Sequence, residues 1–227
     1  MKVTYHGHSC FLVEAGDKRV IIDPFLTNNP KAVVKAEDIQ VDAVLVTHGH
    51  GDHLGDAIEI SKQNDAPIVA VYELAAYCGS KGAPVHGMHL GGAHEFEFGR
   101  VKLTIAFHGS GVEEDGKMIY AGNPAGFLLT MQGKTFYHAG DTALFGDMKL
   151  IGELNKIDAA ALPIGDNFTM GPDDAVLAAN WLNAKKVIPM HYNTWPLIEQ
   201  DAEAFAARLK PAGIEGLVLR PGETVEI

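Results

Sequence analysis

The sequence predicts one domain of the mixed α/β class, and three observations support this prediction. The first half of the chain alternates short apolar strands with tight turns, a pattern typical of antiparallel hairpins. The last third alternates strands with helices. In both parts, residue types that bind metals recur directly after predicted strands. Periodicity alone does not assign these elements to layers, because a doubly wound sheet fits the last third equally well.

The length of 227 residues allows one large domain or two small ones. The chain contains no linker rich in Pro, Ser or Gly, no low-complexity tract and no internal repeat. We therefore interpret residues 1–227 as a single domain. Hydrophobic residues make up 47% of the chain, which is enough to build a sizeable core.

Charge and cysteine content exclude several classes of partner and site. The net charge of −11 argues against nucleic acid, because affinity for a phosphate backbone comes largely from Lys and Arg. Cys10 and Cys78 are far apart and lack Cys-x-x-Cys spacing, so neither a disulfide framework nor a thiolate zinc site is predicted. No signal peptide and no run of about 18 apolar residues is present. We expect a cytoplasmic protein that binds a small molecule rather than a membrane, and a homo-oligomer stays open.

The first half of the chain predicts strands that end in turns, with two short helices between them. A glycine-containing turn at residues 15–18 joins two segments rich in β-branched and aromatic residues, which indicates a hairpin. Period-two alternation on both sides of Gly99 predicts another hairpin, which brings His108 to a strand end. The elements predicted here are strands 3–5, 10–14, 19–22, 43–47, 67–72 and 85–90, hairpin 96–107, and helices 54–62 and 73–78.

The second half changes from hairpins to alternating strands and helices. A hairpin with strands 125–130 and 135–137 ends directly before His138. Pro172 followed by two aspartates predicts a helix start, because proline suits the first turn and acids complement the helix dipole. The remaining predicted elements are helices 143–155, 172–182 and 199–210, and strands 159–164, 186–190, 217–219 and 224–227.

The densest group of metal-binding residue types is the segment Thr-His-Gly-His-Gly-Asp-His at residues 47–53. It follows a buried strand of Val and Leu, so it is expected to form a loop at a sheet end. In an extended loop, His48 and His50 project to the same side, whereas the adjacent Asp52 and His53 point apart. This geometry suits two metal ions better than one, and a solvated histidine-rich turn is the simpler alternative.

The pattern His-x-His-x-Asp-His after a hydrophobic strand resembles the signature of the metallo-β-lactamase superfamily. Other motifs resemble its branch of metal-dependent hydrolases, which is related to a group that opens phosphorylated sugar lactones. These motifs are Gly7-His8-Ser9, Ile22-Asp23-Pro24, His138-Ala139-Gly140-Asp141-Thr142, and the segments 165–172 and 189–194. The resemblance implies a four-layer αββα sandwich with a metal site along one edge of the packed sheets.

The resemblance also implies a ligand set for two divalent ions. The implied ligands are His48, His50 and His108 for one ion, Asp52, His53 and His191 for the other, and Asp141 as the bridge. Imidazole and carboxylate ligands without thiolate suit zinc, the leading candidate, but also manganese, iron or nickel. Taken alone, His108 and His191 would be interpreted as packed or surface residues, and Asp141 as a helix cap.

Catalytic roles are assigned to Asp52, Asp141 and His8. His8 lies either behind the ligands or on the substrate side, while Asp23 either orients a ligand histidine or shapes a turn. His138 has the same two possibilities, behind the ligands or in catalysis. By resemblance, the segments 168–170 and 192–195 border the pocket, although aromatic and Met residues are more often core.

The predicted function is metal-dependent hydrolysis of a small cytoplasmic ester, lactone or phosphodiester by a hydroxide bound to a dinuclear centre. Metal coordination lowers the pKa of water towards about 7, so no separate base is needed. The chain has no Gly-x-Ser-x-Gly elbow that would indicate a serine nucleophile. The alternatives are a di-iron redox protein of the same fold, although the chain has no room for a flavin domain, and a non-catalytic metal-binding module.

Overall fold

Short runs of Val, Ile, Leu and Ala form the strands of two seven-stranded sheets and one small hairpin. The computed structural model describes residues 1–227. The strands in chain order are β1 Lys2–Gly7, β2 Cys10–Ala15, β3 Lys18–Ile22, β4 Ala43–Leu45, β5 Ile68–Val71, β6 Val85–Met88, β7 Ala93–Phe96, β8 Gly99–Ile105, β9 Gly111–Glu114, β10 Lys117–Tyr120, β11 Ala125–Met131, β12 Lys134–His138, β13 Ala159–Pro163, β14 Lys186–Met190, β15 Glu215–Gly216 and β16 Thr224–Glu226.

Each large sheet combines an antiparallel half with a parallel half. The first sheet has the order β16-β1-β2-β3-β4-β5-β6, and its pairing is antiparallel from β16 to β3 and parallel from β3 to β6. The second has the order β15-β14-β13-β12-β11-β8-β7, parallel from β15 to β12 and antiparallel from β12 to β7. The mixed class is therefore confirmed, and a single doubly wound sheet is excluded.

Six α-helices cover the two sheets. They are α1 Gly51–Leu54, α2 Ala57–Asn64, α3 Tyr72–Ser80, α4 Met148–Leu154, α5 Pro172–Leu182 and α6 Ala202–Leu209. Helix α5 has the predicted bounds, with Pro172 in its first turn beside two aspartates. No helix combines the length and the hydropathy that a membrane crossing requires.

Alternation along the strands divides the core between the layers. In β3, Ile22 belongs to the large cluster that joins the two sheets, whereas its neighbour Ile21 packs in a second cluster on the other face. This is the expected consequence of side chains that alternate across a strand. The second cluster includes Ile60 of α2 and Leu74 of α3. The first cluster extends from the space between the sheets to the helices of the second sheet, and it includes Phe205 of α6. Helices on the outer faces of two stacked sheets give the αββα sandwich.

Two predicted helices have different bounds in the structure. The helix predicted at 54–62 is divided into α1 and α2 at Gly55, whose φ is +40°. A Cβ at this position would lie 2.5 Å from the Pro24 carbonyl oxygen, so only glycine fits. The helix predicted at 143–155 begins only at Met148. Ala143 is not part of this helix, because its amide donates to the carbonyl of Phe107. This hydrogen bond holds the segment beside the residues that follow β8.

Three further differences concern the C-terminal region and one hairpin. The helix predicted at 199–210 is α6, which begins after Asp201 because this side chain accepts the amide of Ala204 at 2.9 Å. The strand predicted at 217–219 is wrong, since the pairing with β14 is made by Glu215 and Gly216. The hairpin of β9 and β10 was not predicted from the sequence, because its glycine-, glutamate- and lysine-rich strands carry little apolar periodicity.

Candidate metal centre

Four loops, each following a strand, bring the predicted ligands to one cavity. The segment 48–53 follows β4, His108 follows β8, Asp141 follows β12, and His191 follows β14. The cavity measures about 470 Å³ and is lined by His50, Asp52, His108, Asp141, Phe168, His191, Trp195 and Leu197. The structure therefore brings together residues that are up to 143 positions apart in the chain, counted from His48 to His191.

The ligand-type atoms fall into three overlapping groups, and within each group all of them lie within 4.8 Å of one another. The groups are His48 with His50 and His108; His8 with Asp52, His53 and His191; and His48 with His53 and Asp141. All seven predicted ligands belong to these groups, and His8 joins them. The assignment of each ligand to one ion stays a prediction.

Two of these groups share no residue, and we call them the main groups: His48 with His50 and His108 is the first, and His8 with Asp52, His53 and His191 is the second. Asp141 lies between the two main groups. Its Oδ1 is 3.2 Å from Nε2 of His53, and its Oδ2 is 3.0 Å from Nε2 of His191. The same Oδ2 is 3.5 Å from Nε2 of His108, which belongs to the other group. A carboxylate that faces both groups is suitably placed to bridge two cations. Helix α4 begins after Asp147, so Asp141 is not the cap of that helix.

The expectation that Asp52 and His53 point apart is wrong. Both residues lie in α1, where successive side chains are rotated by about 100° instead of alternating as in an extended loop. Oδ2 of Asp52 and Nε2 of His53 are 3.9 Å apart and face the same group. We expect two ions for a different reason: the ligand atoms form two separate groups, and Asp141 lies between them.

The buried donor atoms have the chemistry of a cation site. Nε2 of His53 and Oδ1 of Asp141 are buried without a hydrogen-bond partner, although they are only 3.2 Å apart. Buried polar atoms normally have partners, so atoms left unpaired at a cluster indicate an absent bound group. Imidazole nitrogens and carboxylate oxygens are ligands of first-row divalent metals. The residues therefore fit a divalent cation.

Carboxylates and imidazoles perturb one another strongly at the site. Burial lowers the pKa of His191, but the Asp141 and Asp52 carboxylates together outweigh burial and raise it to about 9. Burial acts likewise on His53, whose pKa is nevertheless raised well above its ordinary value by Asp141, Asp23 and Asp52. Conversely, burial opposes ionisation of Asp141, yet His53 and His191 hold its pKa well below the usual range. Metal ions must compete with protons at these imidazoles.

After the metal has been removed by a chelator, the free energy of unfolding should therefore decrease as the pH rises. The pKa of His191 is about 9 in the folded protein and 6.5 as a reference value. Its contribution is fully present below pH 6.5 and is lost as the pH rises through 9. We expect the free energy of unfolding in EDTA to fall by on the order of 3 kcal/mol over this window. The measurement is denaturant unfolding at a series of pH values.

Two substitutions test whether His191 causes this decline. His191→Gln should reduce the slope of stability against pH, whereas His89→Gln, at an exposed histidine outside the site, should preserve it. Identical slopes in the two variants would contradict the assignment to His191.

Asp23 orients two ligand histidines from behind. It is fully buried and accepts the Thr47 amide at 2.8 Å and the Thr47 hydroxyl at 2.7 Å. Its Oδ2 is 2.7 Å from Nδ1 of His53, while the Thr47 oxygen is 2.9 Å from Nδ1 of His48. Both rings donate through Nδ1 and present Nε2 to the site. Of the two roles left open by the sequence, the structure supports the orientation of ligands.

Asp23→Asn should lower metal affinity by about 10–100-fold while preserving the fold. The Asn amide can donate to Nδ1 of His53, which would move the ring proton to Nε2, the nitrogen that faces the metal site. Asp56→Asn is the matched control, because Oδ2 of Asp56 accepts only the amides of Leu26 and Thr27 in the same region. Competition with a chromophoric chelator measures affinity, and equal affinities in the two variants would exclude the positioning role.

His8 lies behind Asp52, which is one of the two positions that the sequence left open, and the other position, on the substrate side, is not supported. The ring is fully buried and does not line the cavity. Its Nδ1 is 2.8 Å from Oγ1 of Thr194, and its Nε2 is 3.1 Å from Oδ2 of Asp52. Burial lowers the pKa of His8 to about 4, despite the opposing effect of Asp52. A neutral ring with both nitrogens engaged holds Asp52 in place.

His138 is also buried behind the site. Its Nε2 donates to the Ser9 carbonyl at 2.9 Å, and its Nδ1 accepts the Gly140 amide at 3.2 Å, which holds the loop that carries Asp141. No role in orienting a ring was predicted for Thr47 or Thr194, although Thr194 lies in the segment 192–195 that was expected to border the pocket. Their position beside the histidine motifs was the only signal in the sequence, because a threonine that orients a ring has no spacing of its own. Leu197 of the cavity was also missed, because a single leucine in a loop carries no signal of its own in the sequence.

Comparisons with known proteins match most or all of the chain. The family profile described as "Beta-lactamase superfamily domain" matches residues 2–191. A protein of Bacillus cereus (strain B4264) named UPF0173 metal-dependent hydrolase is 60% identical over 229 residues, with 100% of both chains covered.

Solved structures share the fold over nearly the whole chain. Igni18, described as a novel metallo hydrolase from the hyperthermophilic archaeon Ignicoccus hospitalis KIN4/I, superposes with a TM-score of 0.90 and 38% identity, covering 99% of this chain and 97% of that one. An isothiocyanate hydrolase from Delia radicum gut bacteria gives a TM-score of 0.77 at 22% identity, covering 100% of this chain and 99% of that one. The second likeness concerns the fold alone.

Proposed function

Because this chain belongs to the metallo-β-lactamase superfamily and to its UPF0173 group of metal-dependent hydrolases, we propose that it hydrolyses a small ester, lactone or phosphodiester with two divalent ions. The observation that carries the proposal is the position of Asp141. Its two carboxylate oxygens lie 3.0–3.5 Å from ligand nitrogens of both main groups. Such an arrangement is suited to a dinuclear centre that reacts with a substrate in the adjoining cavity.

Each of the two proposed ions would have its own ligands. His48, His50 and His108 would hold one ion, Asp52, His53 and His191 the other, and Asp141 would contact both. When bound, a pair of divalent ions supplies a water molecule of lowered pKa and a Lewis acid for a carbonyl or phosphoryl oxygen.

Asp52 remains available as an anionic ligand. Burial opposes its ionisation, but the nearby rings of His53, His191 and His8 hold its pKa well below the ordinary value. Its side chain is 26% exposed and lines the cavity. The ring of His8 lies behind it. Asp52 is thus both a proposed ligand and part of the surface that the substrate meets.

No serine or cysteine is placed to act as a nucleophile. Ser9 and Cys10 are fully buried, and burial raises the pKa of the Cys10 thiol well above its ordinary value. Ser110 accepts the Gly49 amide at 3.2 Å and does not line the cavity. Water is therefore the proposed attacking group, and the protein contributes ligands and positioning rather than a covalent intermediate.

Alanine substitutions of Ser9, Cys10 and Ser110 should each leave turnover within about tenfold of the parent enzyme, whereas removal of a true nucleophile costs several orders of magnitude. Chelation should abolish turnover in all four proteins. The pH profile of kcat/KM should rise through one ionisation, and exchange of zinc for manganese should move it. Steady-state kinetics measure these effects. A covalent acyl- or phosphoryl-enzyme detected by mass spectrometry on any of the three residues would overturn this function.

A further inference from the structure

Three large apolar side chains line the cavity, and we call them together the apolar wall: Phe168, Trp195 and Leu197. Their exposed fractions are 51%, 37% and 62%, so they are not core residues. Large apolar side chains that are exposed together in a concave site are typical of ligand-binding surfaces. The other five lining residues are the His and Asp side chains of the metal centre.

The part of the wall that follows β14 is held in a fixed shape. The ring of Trp195 packs against His8, with centroids 5.0 Å apart, and against Phe25 at 6.2 Å. Leu197 lies in a 3₁₀ turn, Pro196–Ile198, whose last residue is fully buried. The Ile198 carbonyl accepts the amide of Asn193 at 2.8 Å, which closes this loop on itself.

The other part of the wall follows β13. Phe168 lies in a turn closed by two backbone bonds, from Thr169 to the Asp166 carbonyl at 2.7 Å and from Asp166 to the Met170 carbonyl at 3.1 Å. Met170 is buried and its amide donates to the Thr142 carbonyl at 3.0 Å, beside Asp141. Phe168 is thus presented to the cavity by an anchored loop. A preformed apolar surface binds without the entropic cost of ordering it.

The charges around the cavity argue against an anionic substituent on the substrate. None of the eight lining residues is Lys or Arg, the side chains that recognise phosphate groups. The net charge of −11 adds repulsion at longer range. Bound cations would contact the reacting group, and the apolar wall is the part of the lining that remains for the rest of the substrate.

We propose that the apolar wall binds an uncharged aryl or branched alkyl group beside the scissile bond. The substrate is then a neutral carboxylic ester or lactone, and not a phosphodiester or a phosphorylated lactone. Its hydrolysis breaks the acyl C–O bond, adds the hydroxyl of water to the carbonyl carbon and leaves the remaining proton on the alcohol oxygen. This inference rests on the proposed hydrolase function, and a cavity of about 470 Å³ accommodates a molecule of this size.

The first test compares methyl phenylacetate, methyl acetate and methyl phenyl phosphate with the zinc-loaded full chain. We expect kcat/KM for phenylacetate to exceed that for acetate by about tenfold or more, and the phosphodiester to be the poorest substrate. Phe168→Ala and Leu197→Ala should each reduce the preference for phenylacetate, mainly by raising KM. Both side chains are more than half exposed, so the fold should tolerate their loss.

Leu177→Ala is the matched control. Leu177 is 47% exposed on α5, does not line the cavity, and should leave the substrate preference unchanged. A preference that is unaffected when both Phe168 and Leu197 are replaced, or faster hydrolysis of the phosphodiester, would overturn the inference.

The second test measures binding, and it separates failure of the inference from failure of the proposed function. The chain has two tryptophans, so Trp181→Phe leaves Trp195 as the only indole reporter. Saturable quenching by 4-phenyl-2-butanone, a neutral ketone that cannot be hydrolysed, is expected, with about tenfold weaker binding after Phe168→Ala. No saturable change, or tighter binding of methyl phenyl phosphate, would overturn the inference. Quenching without turnover of any ester, lactone or phosphodiester would instead contradict the proposed function.

Discussion

Replacing Asp141 by asparagine should lower kcat/KM by more than about 100-fold, because even residues behind metal ligands typically cost 10–100-fold when changed. Asp141 is the only carboxylate whose oxygens face both main ligand groups, at 3.0–3.5 Å. Asparagine keeps the volume but loses the negative charge and one of the two acceptor oxygens. The measurement is kcat/KM at saturating metal, with metal content determined for the same sample.

The fold of this variant should be preserved, because the two sheets and not the site carry the apolar core. Asp158→Asn provides the matched control. Asp158 is 3% exposed and pairs with Lys185 at 2.9 Å and Lys134 at 3.6 Å, away from the cavity. Its substitution should reduce stability and leave catalysis nearly unchanged. Near-normal turnover of Asp141→Asn would refute the bridging role.

Metal removal should have the second-largest effect, with activity lost and stability reduced together. A ligand that binds only the folded state contributes about 4 kcal/mol when present at 1,000 times its dissociation constant. We expect elemental analysis of protein saturated with zinc or manganese to find two ions per chain. Readdition of either metal after chelation should restore both activity and the unfolding midpoint.

A ligand variant tests the division into two groups. His108→Gln removes a ligand of the first group, and it should leave one tightly bound ion in the second group. His108 is partly exposed at the cavity, so its loss should not disturb the core. A stoichiometry that stays at one ion per chain in the parent protein under saturating metal would contradict the dinuclear centre.

Local sequence patterns determined much of the fold. The hairpins β2–β3 and β11–β12 could be predicted because turn residues separate segments of β-branched and aromatic residues, and α5 because Pro172 and two aspartates define its start. The predicted helix boundaries were wrong where a hydrogen bond to a distant part of the backbone competes with the local preference for a helix. The amide of Ala143, for example, donates to Phe107 instead of starting a helix.

The ligand types and their positions after strands were also determined by the sequence itself, because His48, His50, Asp52 and His53 lie within one short segment. Only the tertiary structure decided which atoms meet. The contacts of Asp141 with His53 and His191 depend on how two sheets stack, and local patterns do not encode that stacking. The direction of Asp52 depended on the helical turn of α1, and the role of Asp23 on a hydrogen bond across 30 residues to His53. The apolar wall likewise exists only because the loops after β13 and β14 end at the same edge, so Phe168 and Leu197 become neighbours of the metal centre through packing alone.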